Sequence, residues 1–314
     1  MYRLLLTLWL FACSLSASAA DQVRDMAPDR LTDSTWVIHG PLGYPSVENQ
    51  GFMNNPAFII TDRGVVVIDP GSSLQAGRMV LKQIRAITDK PVTHVFNTHV
   101  HGDHWLGNHA VEVAFPNVKI YGHPDMITKA EEGEGERWIG SMERSTDGFT
   151  RGTRMVLPKN RINHSETVTV DNKTFRIYAP DHAHSGTDIM IEVVEDSVFF
   201  TGDNITHTRF GRLDDATFKG NIEACLVAID VSAKYYVPGH GKTGGREIPE
   251  NYKLYLETLY REAGRHYEDG LSDYEMKPMI VKVLAPYSDW VNFHDEVGRH
   301  INRAILEYEQ RSFE

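Results

Sequence analysis

Thr98-His99-Val100-His101-Gly102-Asp103-His104 is the stretch that decides how this chain is read. In extended backbone, residues two apart face the same side, so His99 and His101 converge on one point. Gly102 lets the chain turn. Asp103 and His104 then open a helix or tight turn and face a neighbouring point. Side chains of four ligand-type residues packed this closely suit a metal ion better than a solvated loop.

Three further motifs lie beside predicted strands. Asp181-His182-Ala183-His184-Ser185-Gly186-Thr187-Asp188 precedes the strand Ile189–Val194. Thr201-Gly202-Asp203-Asn204 follows the apolar run Val198–Phe200 and delivers a carboxylate to a sheet edge. Val237-Pro238-Gly239-His240-Gly241 is again a strand followed by a Gly-flanked His. Each alone says little. In this order they point to one site.

The rest of the chain is ordinary globular sequence. It has 314 residues, 41% hydrophobic and 24% charged, which excludes a disordered chain, a collagen-like repeat and a coiled coil. A net charge of −11 gives no overall basic field, so nucleic acid is not an expected partner. The only strongly apolar run is at the N-terminus, which excludes a polytopic membrane protein. There Met1-Tyr2-Arg3 is basic, Leu4–Ala12 is apolar, and Ser14–Ala20 holds Ala17 and Ala19 in an A-x-A arrangement. Residues 1–20 therefore read as a secretory signal cleaved after Ala19 or Ala20, with the mature protein periplasmic or secreted. The apolar run is too short for a stable membrane span. Leu10-Phe11-Ala12-Cys13 offers a lipoprotein alternative, which the bulky Phe11 disfavours. Cleavage leaves Cys225 alone, so no internal disulfide is expected. Phe218, Ile222, Cys225 and Ile229 recur at helical spacing, which makes Cys225 a core residue.

Strands are expected at Thr35–His39, Ala57–Thr61, Val65–Asp69 and Thr93–Asn97, with a helix capped by Ser72 or Ser73 running to about Ile87. A helix-like stretch follows from about Asp125 to Arg144. Two hairpins come next, Thr167–Val170 with Thr174–Tyr178 and Ile189–Val194 with Val198–Thr201. A helix carrying Cys225, a strand Tyr235–Pro238 and C-terminal helices complete the chain. Two clusters of strands with interspersed helices imply an α/β fold, two sheets between helical layers. Residues 21–314 read as one domain, with a helical insertion at about 121–154 and a C-terminal helical extension at about 248–314.

Through these motifs the chain, from about Thr35 to His240, resembles the metallo-β-lactamase superfamily. The resemblance implies a four-layer αβ/βα sandwich with a two-metal site at one edge of the sheets. It assigns His99, His101 and His184 to one metal, and Asp103, His104 and His240 to the second. Asp203 would bridge them, and Asp69, in Val65–Gly71, would support the ligands. His182 competes with His184, but His184-Ser185-Gly186-Thr187-Asp188 fits the family pattern better. The metals would be two zinc ions, with iron or manganese as alternatives. Such ions make hydroxide available at neutral pH, so that Asp103 and Asp203 would frame the hydrolysis of an ester, thioester, lactone or related bond. The substrate would be small and anionic. Asp203 stands where secreted β-lactamases of the superfamily commonly have Cys or Ser. The set is closer to the thioesterase, lactonase, sulfatase and phosphodiesterase branches. The signal, Glu48–Phe58 and the C-terminal helix are similar to exported SoxH-like and quinoprotein-relay metallohydrolases. The alternatives are an iron-dependent sulfur or persulfide dioxygenase, and a metal- or cofactor-handling protein without turnover. Trp138 in the insertion is a candidate substrate contact. Arg209, Arg212, Lys219 and Lys242 are candidates to grip an anion.

Overall fold

The computed structural model describes residues 22–311; the signal-like segment and Cys13 lie outside them. Seven strands form the first sheet in the order β1 to β7: Asp29–Arg30, Thr35–Val37, Ala57–Ile60, Val65–Ile68, Val92–Phe96, Lys119–Gly122 and Asn160–Arg161. The pairs from β1 to β4 are antiparallel and those from β4 to β7 parallel. The second sheet runs β12-β11-β10-β9-β8, built from Thr167–Val170 (β8), Lys173–Tyr178 (β9), Met190–Val193 (β10), Val198–Gly202 (β11) and Tyr235–Pro238 (β12). Only β11 and β12 in it are parallel.

The period-two rule distributes each strand between layers. In β4, Val65 and Val67 pack outward on α1 (Leu74–Ile87) and α3 (Asn108–Ala114), against Ala76, Met79, Val80 and Val111. Val66 and Ile68 point inward, where they meet Phe175, Ile177, Ile191 and Phe200 of the second sheet. In β11, Phe199 faces the far side. There it joins Ala224 and Cys225 of α6 (Phe218–Val231) and Tyr252, Tyr255 and Leu256 of α7 (Glu247–Glu268). The result is the expected helix–sheet–sheet–helix sandwich. Each fully buried large side chain contributes about 1.5–3 kcal/mol. Helix α1 starts where expected, with Ser73 Oγ accepting from the Ala76 amide at 3.1 Å.

Between β6 and β7 the chain forms α4 (Pro124–Lys129) and α5 (Gly135–Ser145). The sequence predicts one helical stretch here, but Gly133 at φ 110° breaks it. Met126, Ala130 and Met142 bury against Trp105 of the short helix α2 (Gly102–Trp105), with Trp138 packed on that cluster. After α7, α8 (Asp273–Val283) and α9 (Phe293–Arg311) extend the outer helical layer, α9 burying Val297, Ile301 and Ala304. No helix among the described residues is long and apolar enough to cross a membrane.

Cys225 is fully buried, and burial pushes its thiol well above the ordinary value. It is a core residue. Cys225→Ser is expected to cost about 1–3 kcal/mol, because a hydroxyl replaces a thiol in an apolar setting. Turnover per folded molecule should hold; thermal melts and initial rates measure the two effects separately.

Candidate metal centre

The ends of β4, β5, β11 and β12 meet at one edge of the sandwich, and every site motif lies on the segment just beyond or before a strand there. The two sheets are tied at this edge by backbone: Ile189 N–H donates to Thr98 O at 2.8 Å and Gly239 N–H donates to Gly202 O at 2.8 Å. Asp203 follows β11 and His240 follows β12 by two residues. A Cβ at position 239 would stand 2.1 Å from Asp203 Oδ1 and 2.8 Å from His104 Cε1. Only glycine lets the end of β12 pass this close to the carboxylate.

Three imidazoles are held by the same device. His104 Nδ1 donates to Asp69 Oδ2 at 2.8 Å. His240 Nδ1 donates to the Met53 carbonyl at 2.8 Å. His99 Nδ1 donates to Thr98 Oγ1 at 3.0 Å, and that hydroxyl donates to Asp69 Oδ2 at 2.7 Å. Each outward bond fixes the tautomer and turns a bare Nε2 inward, the arrangement of a metal-binding histidine. His101 comes from the other side: its Nδ1 lies 3.0 Å from His184 Nε2, and its Nε2 faces Asp215 at 3.9 Å.

Two carboxylates lie among these nitrogens. His240 Nε2 is 3.0 Å from Asp103 Oδ2 and 3.3 Å from Asp203 Oδ2. His104 Nε2 is 3.4 Å from Asp103 Oδ2 and 3.3 Å from Asp203 Oδ1. Burial acts to raise both carboxyls, but the facing His104 and His240 outweigh it and hold them well below the usual carboxylate range. Burial holds His99 well below the usual imidazole value, and takes His184 down to about 4 with help from His101. In His101 and His104 burial acts to lower the imidazole, but Asp215 and the facing carboxylates outweigh it and raise both. The ionised carboxylates and the neutral His99 and His184 are already in the state a metal requires, and a cation would displace the protons held at His101 and His104.

A cation fits the atoms present. His99 Nε2, His184 Nδ1 and Asp203 Oδ1 are buried with no hydrogen-bond partner. Three overlapping sets, His99/His101/His184, His99/His104/Asp203 and Asp103/His104/His240, each bring their ligand atoms within 4.8 Å of one another. Imidazole and carboxylate donors of this kind suit zinc, iron or manganese. The structure thus brings together all seven residues assigned by resemblance, with Asp203 in contact with members of both halves.

Of the two competing histidines, His184 is at the centre. His182 is exposed, its Nε2 against the Asp215 carbonyl at 2.6 Å. The cluster opens into a cavity of about 380 Å³ whose lining includes Trp138, Arg209 and Arg212. The Trp138 ring lies 5.2 Å from that of His101. Lys219 and Lys242 are not brought to it: both are exposed and neither lines the cavity, Lys219 because the chain turns away into α6 after Thr217. Sequence reasoning did not find Tyr44, Met53, Thr98 or Asp215. Met53 acts through its backbone carbonyl, which no residue pattern reveals. Thr98, sitting between Asp69 and His99, carried a signal: a hydroxyl next to a candidate ligand histidine.

Residues 50–240 match the profile of the family described as the metallo-beta-lactamase superfamily. The chain belongs to that superfamily. It is a metal-dependent hydrolase of this family. A probable metallo-hydrolase of Streptococcus pyogenes serotype M6 is 25% identical over 199 residues, 60% of this chain and 78% of that protein. A hydroxyacylglutathione hydrolase of Acaryochloris marina is 36% identical over 74 residues, which are 23% of this chain and 27% of the relative. A linear primary-alkylsulfatase of a Pseudomonas species is 34% identical over 68 residues, 20% of this chain and 13% of the relative. Among solved structures, a metallo-beta-lactamase from Pontibacter korlensis superposes with a TM-score of 0.60 at 18% identity, covering 75% of this chain and 99% of that one. One from Hirschia baltica gives 0.58 at 21% identity, over 74% of this chain and 97% of that one. At these identities the likeness to the metallo-β-lactamase structures is one of fold.

Proposed function

We propose that this protein is an exported dinuclear zinc hydrolase that cleaves an ester, thioester, lactone or related bond of a small molecule. The observation that carries the reading is the Asp203 carboxylate, set between the imidazoles of His104, His184 and His240 with one oxygen unpartnered. It supports two cations rather than one, because a single ion would leave either His99, His101 and His184 or Asp103 and His240 without a role.

When bound, two such ions supply Lewis acidity at the scissile group and hydroxide at neutral pH. The chain's own residues do the rest. Asp69, Thr98 and Met53 O keep the imidazoles oriented before substrate arrives, so little reorganisation is needed in the transition state. Asp103 and Asp203, both ionised, would offset part of the cationic charge. Trp138, on the cavity wall beside His101, would limit water around the reacting groups. The partly matching hydrolases support ester-like or thioester-like substrates, and Asp203 in place of Cys or Ser supports these over β-lactams.

Metal analysis of the protein purified without added metal tests the reading. About two zinc per chain, with esterase or thioesterase activity lost to chelator and restored by zinc, is the expected result. One iron per chain would replace the proposal with the dioxygenase alternative, and metal without turnover on any ester would leave a metal-handling protein. Export, to the periplasm or beyond, is part of the proposal; N-terminal sequencing of the native protein should find Ala20 or Asp21 first.

A further inference from the structure

Asp29, His39 and Thr243 form a linked row outside the metal centre. Asp29 opens β1, His39 lies two residues beyond β2, and Thr243 is in the loop that follows β12. β1 and β2 pair with Asp29 opposite Val37, which sets Asp29 beside the chain end that carries His39. His39 Nδ1 donates to Asp29 Oδ2 at 2.9 Å. Across the ring, Nε2 accepts from Thr243 Oγ1 at 2.9 Å and from the Thr243 amide at 3.4 Å. An amide N–H can only donate, so the nitrogen it points to carries no proton, and the ring's proton sits on Nδ1 toward the carboxylate. Carboxylate to Nδ1 and Nε2 to hydroxyl is the order of groups in a nucleophilic triad.

The backbone around the row is fixed on both sides. Buried Asn55 ties the two segments together: its Nδ2 donates to Pro238 O at 2.8 Å and Gly241 O at 2.7 Å, and its Oδ1 accepts from the Gly40 amide at 3.2 Å. Beyond Thr243 the loop is closed by Tyr236 N–H donating to Gly244 O at 2.9 Å and Gly244 N–H donating to Tyr236 O at 3.2 Å. Thr243 is held between these ties and is partly exposed, as is His39. Gly244 and Gly245 follow it with no side chain to shield the hydroxyl. Among the described residues, Thr243 Oγ1 has no hydrogen-bond partner except His39, so its lone pairs are free.

An exposed carboxylate paired with a histidine adds little to stability, so the row is poorly explained as scaffold. We propose that Thr243 is an activated hydroxyl, a covalent acyl-acceptor site that works without the metal ions. Its donor is an activated carboxylic ester or thioester. Thr243 Oγ1 attacks the donor's carbonyl carbon, and its proton passes to His39 Nε2. The bond from that carbon to the leaving oxygen or sulfur then breaks, and the leaving atom takes the proton from Nε2. Thr243 is left as its ester and His39 as it began. His39 and Thr243 touch the reacting atoms; Asp29 is a positioning residue that acts through His39.

The probe is diisopropyl fluorophosphate, which activated hydroxyls attack in the same way, forming an Oγ1–P bond and releasing fluoride. Added to the metal-loaded protein, it should leave a single adduct per chain by intact mass, mapped by peptide sequencing to Thr243. Thr243→Val should lose the adduct and Thr243→Ser should keep it. His39→Gln should slow labelling at least about a hundredfold, because the base is gone. Asp29→Asn should slow it at least about tenfold with melting temperature and metal content unchanged, a split that a merely structural role would not give. Thr243→Ser and Asp29→Asn are conservative changes, so they carry the test if Thr243→Val does not fold. No adduct on the parent, an adduct on another residue alone, or equal labelling rates in the parent and His39→Gln would overturn the site.

Discussion

Replacing Asp203 by alanine is expected to abolish detectable hydrolysis and to lower the metal content of the purified protein. Asp203 Oδ1 lies 3.3 Å from His104 Nε2, and Oδ2 lies 3.3 Å from His240 Nε2 and 3.7 Å from His184 Nε2. Among the described residues no other carboxylate lies this close to three of the imidazoles; Asp103 meets two. Its removal takes a negative charge from the middle of a cluster meant for cations and leaves a hole where the carboxylate stood. The loss should exceed the roughly 10- to 100-fold that follows removal of a group that only supports a ligand. Metal content and kcat/KM on one preparation measure it. A variant that keeps all its metal and works within about tenfold of the parent would show that Asp203 is not shared between two ions.

Asp69→Ala should have the next largest effect, although Asp69 faces none of the expected metal positions directly. One carboxylate accepts from Thr98 N–H at 2.8 Å, Thr98 Oγ1 at 2.7 Å and His104 Nδ1 at 2.8 Å. Alanine leaves these buried donors unsatisfied at about 1–3 kcal/mol each, so the melting temperature should drop. His104 and His99 also lose the bonds that fix their tautomers, so metal affinity or activity should fall about 10- to 100-fold. Asp69 has a φ of 50°, which alanine tolerates poorly and asparagine well. Asp69→Asn keeps the backbone and one acceptor, and should retain more stability than alanine while still weakening metal binding. Equal metal affinity in all three proteins would remove Asp69 from the site.

The parts of this site that could be read from the sequence are those where chemistry and strand geometry coincide. His99, His101, Asp103 and His104 are crowded into one segment with alternating faces, and that pattern has few uses other than a metal. Val65–Ile68 announced a buried strand because it is apolar on both faces, and the structure buries it on both. Short strands were harder. Asp29–Arg30 and Asn160–Arg161 pair only at the sheet's edges and are polar, so no hydrophobic period marks them. The Asp125–Arg144 helix was read through Gly133, because a single glycine lowers helical propensity without showing the sign of its φ. Tyr44 and Glu296 stand 252 positions apart and meet only because α9 folds back over the cavity. Nothing local to either residue encodes that meeting.

The division of the metal centre between the two sheets has a thermodynamic consequence. His99, His101, Asp103 and His104 follow β5 of one sheet, whereas His184, Asp203 and His240 belong to segments of the other. An ion that gathers both sets is a ligand of the folded chain that the unfolded chain cannot match. Its free energy of binding is therefore drawn into the free energy of folding, by about 2.7 kcal/mol when the free ion is at a hundred times its dissociation constant. The sandwich is riveted along one edge. Scarcity of the ion would cost such a chain its catalyst and part of its resistance to unfolding and proteolysis at the same moment, so that the supply of metal would set how many molecules persist as well as how many are active.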